Sequence, residues 1–185
     1  MTGPLPPQVR RLADDDARLE ACPPDPPYAS TVIERVLADE WEDCLHAAAQ
    51  DRWVKANTYA YDAARKAVEA WLLAHGFRVR AAPGAHAAVV EVVHRWLSGL
   101  DPPGPRLADS FAVARKARHD DEYPHPRARE RSARELRPLV LDSLRIVEQV
   151  ATDLGLSLAL PPLPTDTTLA ARPERQPGPR PVGPP

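Results

Sequence analysis

The sequence predicts an all-α protein, an up-and-down helical bundle of about five helices with disordered Pro-rich termini. Three observations carry that expectation. Apolar residues through the middle of the chain recur at three- and four-residue steps, the period of a helix, and no stretch shows the two-residue alternation of a strand. The 23 prolines crowd towards both ends and leave a Pro-poor centre in which helices can run. The 185 residues suit one ordinary domain with a real core.

Residues 1–27 read as a flexible Pro-rich arm around one charged piece, RRLADDDARLEA, with the length for one or two helical turns. The bundle is expected over residues 28–156. Its first helix starts near Thr31, where Thr31 and Glu34 have capping-box spacing, and its stripe is Ile33, Val36/Leu37, Trp41, Cys44/Leu45 and Ala48. Cys44 on that stripe is a core residue. The second helix spans about Ala56–His75. Tyr59, Ala63, Ala67 and Trp71 form one row, Ala60, Ala64, Val68 and Leu72 the next, and Gly76 is a ready C-terminal cap. So many alanines permit a close helix–helix approach. After a linker, FRVRAAPG, a third helix runs from about Ala85 to Leu97 and is closed by Gly99. His86 there reads as a capping or packing residue, with His94 on the exposed side. DPPGPR is a loop, and the fourth helix runs from about Leu107 to Tyr123. Ser132 and Glu135 have capping-box spacing for a fifth helix to Leu154, ended by Gly155; Pro138 kinks it or marks its first turn. Residues 157–185, with prolines throughout, read as a disordered tail.

Composition excludes several classes. A formal charge of −2 exerts no general pull on nucleic acid or acidic membrane. Cys22 and Cys44 make neither a disulfide framework nor a zinc spacing. No apolar run approaches a membrane span, and MTGPLPPQVR lacks a signal-peptide core, so the chain reads as cytoplasmic. P-loop, dinucleotide-binding and nucleophile-elbow patterns are absent, and no cofactor is implied.

The chemistry concentrates in FAVARKARHDDEYPHP, residues 111–126. An apolar stripe of Phe111, Ala114 and Ala117 runs into Arg115, Lys116, Arg118, His119, Asp120, Asp121, Glu122 and Tyr123, before Pro124 and Pro126 stop the helix. Helical spacing puts Arg115, Arg118, His119 and Glu122 on one face. On these residues alone the segment is a solvated charged face, with Arg118 and Glu122 an i,i+4 ion pair and Tyr123 packed beneath.

Arg118-His119-Asp120-Asp121-Glu122-Tyr123-Pro124 resembles the signature that ends the fourth helix of HEPN domains: Arg, a polar residue, two variable positions, an acidic residue, Tyr and Pro. Upstream, Tyr59 to Gly76 resembles the second helix of the same family, and His86 after Gly84 is similar to the His that often opens its third. Ribonuclease members pair an Arg with a His separated from it by four to six residues, and Arg118 and His125, with six residues between them, fit the loosest form. The resemblance implies a homodimeric, metal-independent endoribonuclease or toxin/defence module, whose site forms where two fourth helices meet. In such a site a 2′-hydroxyl attacks the adjoining phosphate. Arg118 would hold the phosphate and its developing charge, with Arg115 and Lys116 beside it for RNA. His119 or His125 would move the proton. Tyr123 occupies the slot of the commonest spacing, but a phenol titrating near ~10 is a poor base at neutral pH. Asp121 and Glu122 would shape the site and repel phosphate unless neutralised; Arg127, Arg129, Arg131, Arg134 and Arg137 restore some positive charge downstream.

Two further readings stand beside it. One is a catalytically silent HEPN protein that binds a nucleotide, or a partner such as a minimal nucleotidyltransferase. The other is a metal phosphohydrolase, with His119-Asp120 as a metal-binding pair and His86 and His94 as further ligands; it lacks a convincing acidic ligand in the fifth helix, where the aspartates are Asp142 and Asp153.

Overall fold

The computed structural model describes residues 4–123 and 131–158, and the fold is all-α, as expected. Helix α1 (Pro7–Asp15) leads to strand β1 (Leu19–Ala21). Helix α2 (Pro26–Val36), a π-turn (Leu37–Trp41) and α3 (Glu42–Ala49) form one continuous helix. Then follow α4 (Trp53–Ala74), β2 (Phe77–Val79), α5 (Ala85–Leu97), α6 (Gly104–Glu122) and α7 (Ala133–Asp153). Helix α4 is the central member: it packs against α7 most extensively, and against α2, α3 and α6.

That position explains its alanines. Ala56, Ala60, Ala63, Ala64, Ala67, Ala70 and Ala74 are all buried, so neighbouring backbones approach from several sides at once. Burial therefore extends around α4 beyond the two expected rows, and Tyr61, outside both, is fully buried where Tyr59 is only partly so. Trp71 of α4 stacks on Trp96 of α5 with ring centroids 4.5 Å apart. Trp41 and Phe111 complete the large buried side chains at this level. Burial pushes the Cys44 thiol up to about 12, in keeping with its place in the core.

Two expectations about the start of the chain are corrected. The flexible arm is instead structured from residue 4: Leu5, Val9 and Ala13 are buried, and α1 packs against α5. Pro6 and Pro7 stand at the entry to α1, where a missing N–H costs nothing, so they mark a helix start rather than a linker. Thr31 does not open the first bundle helix. Asp25 does, its carboxylate accepting from the Tyr28 N–H at 3.0 Å ahead of Pro26 and Pro27, while the Thr31 hydroxyl donates to the Pro27 carbonyl from inside the helix. The stripe steps by five from Val36 to Trp41, and the π-turn absorbs that extra residue so that Trp41 and Cys44 stay in the core.

The segment expected to be a linker holds β2, which pairs antiparallel with β1 in the register Leu19–Val79, Glu20–Arg78 and Ala21–Phe77. Three-residue strands are too short to show an alternation. Gly76, at φ +85°, makes the turn into β2, and its carbonyl accepts from the Cys22 N–H at 2.9 Å. A Cβ there would lie 3.1 Å from the Cys22 carbonyl oxygen, so the position needs glycine twice over.

The remaining helices follow the sequence closely. α5 has the expected bounds. α6 begins three residues earlier than expected, at Gly104. The Glu135 carboxylate accepts from the Ser132 N–H at 3.0 Å at the start of α7, and that helix continues through Pro138. Leu136, Val140, Val147 and Val150 face the core. Asp142 is 2% exposed and receives Arg106 Nη1 at 2.5 Å and the Ser110 hydroxyl at 2.7 Å, which clamps α7 to α6. Among the described residues no helix is long and apolar enough to cross a membrane. The expected tail, from residue 159 on, lies outside the described residues.

Candidate functional site

The candidate site is built around the ring of Tyr61. Phe111 of α6 stacks on it at 5.0 Å between centroids, the Arg118 guanidinium carbon lies 5.7 Å from its centre, and the His86 ring, at the start of α5, is 6.3 Å away. Phe111 and Arg118 come from α6 and His86 from α5, so the packing of two helices on α4 sets the geometry. The Tyr61 hydroxyl is buried with no hydrogen-bond partner among the described residues. Burial pushes that phenol up to about 12, and it stays protonated at neutral pH.

A line of alternating charge runs beside the ring. Arg118 Nη2 meets Glu122 Oε1 at 2.9 Å, and its Nε faces Asp62 Oδ2 at 3.3 Å, an ion-pair contact without hydrogen-bond alignment. Arg65 takes the other Asp62 oxygen at 3.4 Å and Glu69 at 2.8 Å. Two cations are thus shared among three carboxylates. Burial opposes the charge on Arg65, but the attraction of Glu69, helped by Asp62, outweighs it and holds the guanidinium above its ordinary range. The Arg118 side chain is 19% exposed, enough for a ligand to reach its edge but not to surround it.

His86 is held below the usual imidazole range, chiefly by burial, with the positive charges of Arg65 and Arg118 pushing the same way. Neutral at pH 7, it is able to accept a proton. The same depression predicts an acid sensitivity. As pH falls below about 6.5 the unfolded chain takes up a proton that folded His86 resists, so stability falls with pH until the folded imidazole protonates as well. His86→Gln should flatten that part of the stability curve in urea titrations across pH 5–8; an unchanged curve would mean that the ring is not held neutral.

The structure separates the residues that helical spacing grouped together. Arg118 turns inward, while Arg115, Lys116 and His119 are exposed. His119 lies against Tyr123 with centroids 5.1 Å apart, and Tyr123 is 68% exposed, so it is not packed beneath the ion pair. The aromatic under Arg118 is Tyr61. Asp121 faces Lys55 at 3.7 Å and Asp120 meets Arg131 at 3.0 Å, so the carboxylates near the helix end are largely neutralised. His125, Arg127 and Arg129 lie outside the described residues.

The metal constellation does not assemble. His94 faces Asp109 at 3.7 Å, His86 faces Tyr61, and His119 stands against Tyr123 at the end of α6. Among the described residues no three His, Cys, Asp or Glu side chains form a group able to hold a metal ion.

Sequence reasoning missed Tyr61, Asp62, Arg65 and Glu69. A signal was present: Asp62, Arg65 and Glu69 make a charged ridge at helical steps on a helix otherwise built for burial. Charge placed there must be paired, and that pairing is what the structure contains. Searched against protein-family models, curated proteins and solved structures, the chain gives no significant match.

Proposed function

We propose that this chain is a HEPN-type, metal-independent endoribonuclease of the toxin/defence kind, acting as a homodimer. The observation that carries the reading is the setting of Arg118: a guanidinium near the end of α6, fixed over an aromatic ring and partly open to solvent. Its partner Glu122 is the last residue of α6. An i,i+4 pair at such a place is worth only a few tenths of a kcal/mol. A phosphate can therefore displace Glu122 while Asp62 keeps the guanidinium aimed.

In this reading Arg118 holds the scissile phosphate and the charge that builds on it as the 2′-hydroxyl attacks. The 2′-hydroxyl proton passes to an imidazole, His119 on the exposed side of α6 or His125 beyond it. Arg115 and Lys116, exposed on the same helix, contact neighbouring phosphates. Pairing of two α6 helices about a two-fold axis would bring both sites together and cover Val113 of that helix and Tyr123 just after it, two exposed apolar side chains. Sedimentation velocity at micromolar concentration should give a dimer. A monomer at every salt concentration would remove the shared site, and with it this reading.

One observation favours a second reading, a catalytically silent HEPN protein that binds a nucleotide or a partner such as a minimal nucleotidyltransferase. Arg118 already has two carboxylates, Asp62 and Glu122, and so has a structural role without any phosphate. Expression of the wild type separates the two: the ribonuclease slows growth and degrades cellular RNA, and the silent protein does neither.

A further inference from the structure

A groove of about 600 Å³ opens beside the Arg65–Glu69 end of the alternating charge line, between α2, α4, β2 and the start of α5. That volume lies within the ~300–1,000 Å³ typical of small-molecule sites. Four cations line it, Arg65 and Lys66 from α4 and Arg78 and Arg80 from β2 and the residue after it, against one carboxylate, Glu69. The acids that pair the others stand outside the groove wall: Glu40 with Lys66, and Glu20 with both Arg78 and Arg80. One carboxylate serving two guanidiniums leaves N–H donors uncommitted, since each guanidinium carries five. Each of the four cations faces a carboxylate within ion-pair distance, so what the groove offers an anion is the N–H donors left over on Arg78 and Arg80, which share Glu20.

The rest of the lining is apolar. Val32, Leu73 and Val79 are partly buried in the groove wall, and Tyr28 stands at its side with half its surface exposed. Cations that suit a planar oxyanion, beside an apolar floor and an open aromatic ring, make an amphiphilic site.

We propose that this groove binds a small amphiphilic anion: a phosphate or carboxylate head held by Arg78 and Arg80, on an apolar or aromatic body lying against Val32, Leu73 and Tyr28. The groove adjoins the Arg118 site, with which it shares Arg65, Glu69 and His86, but the proposed contacts of the anion are other residues, and its binding does not depend on ribonuclease activity.

Calorimetry on the full chain with inorganic phosphate, phenyl phosphate and octanoate tests this. Phenyl phosphate or octanoate should bind about tenfold or more tighter than inorganic phosphate, because only they cover the apolar floor; which of the two binds tighter identifies the head group. The double variant Arg78→Ala/Arg80→Ala should lose about tenfold or more in affinity for the tighter of these probes. Arg95→Ala, which removes a surface charge outside the groove, should bind as the wild type does. Tyr28→Ala should weaken both organic anions and leave inorganic phosphate unchanged. The proposal fails if none of the three saturates at millimolar concentration. It also fails if the double variant, folded by circular dichroism, binds like the wild type, or if Arg95→Ala weakens binding as much.

Discussion

Arg118→Ala is expected to lower RNA cleavage by about 10²–10³-fold, the usual cost of removing one group that stabilises transition-state charge. The fold should survive, because Phe111 and Tyr61 pack against each other without the guanidinium. Survival is not free: Asp62 and Glu122 lose a partner, which leaves Asp62 to share Arg65 with Glu69 and removes the cation beside Glu122. Removing the second charge as well, in Arg118→Ala/Glu122→Ala, should restore part of any lost thermal stability while cleavage stays lost. Arg118→Lys keeps the charge but not the planar fork, and should fall between wild type and alanine in rate. Rates on a labelled RNA, melting curves and dimer mass for these three variants separate a catalytic from a structural arginine. Unfolding or dissociation of Arg118→Ala, with a double variant no better, would assign the residue to structure. His119→Ala and His125→Ala in the same assay decide which imidazole carries the proton.

Trp71→Ala is expected to cost about 3–5 kcal/mol of stability, a large share of the ~5–15 kcal/mol that a domain possesses. Trp71 is 1% exposed, stacks on Trp96, and belongs to the helix against which most others pack. The ring is large, and α4 is hemmed in on several sides, so the void cannot close by moving one neighbour. Trp71→Phe should cost much less, since it retains an aromatic contact with Trp96. Urea unfolding of both variants measures this. A loss below about 1 kcal/mol for alanine would mean that α4 is not the hub of the core.

The fold was legible in the sequence wherever a helix showed one face to the core over several turns. The stripes of α5 and α7 fixed their positions because each buries one side and exposes the other. On α4 the same logic finds the helix and two buried rows, but its surroundings bury it nearly all round, so that Tyr61 escapes a search for rows. That logic failed at the start of the chain. Proline clusters are compatible with a mobile arm and with helix starts alike, and Pro6, Pro7, Pro26 and Pro27 stand where helices begin. Of the candidate site, Arg118 and Glu122 were readable because they are four residues apart on one helix. Asp62 was not, since it reaches Arg118 only through packing between helices distant in sequence, and for the same reason nothing beside His86 in the sequence points to its contact with Tyr61.

The central claim is that this protein cleaves RNA without a metal ion. The most direct measurement is incubation of the purified full chain, wild type beside Arg118→Ala, with RNA in excess EDTA, followed by analysis of the product ends. The account predicts cleavage by the wild type alone, leaving 2′,3′-cyclic phosphate ends from attack of the neighbouring hydroxyl. Intact RNA with the wild type, or cleavage that stops in EDTA and returns with a divalent cation, would contradict it.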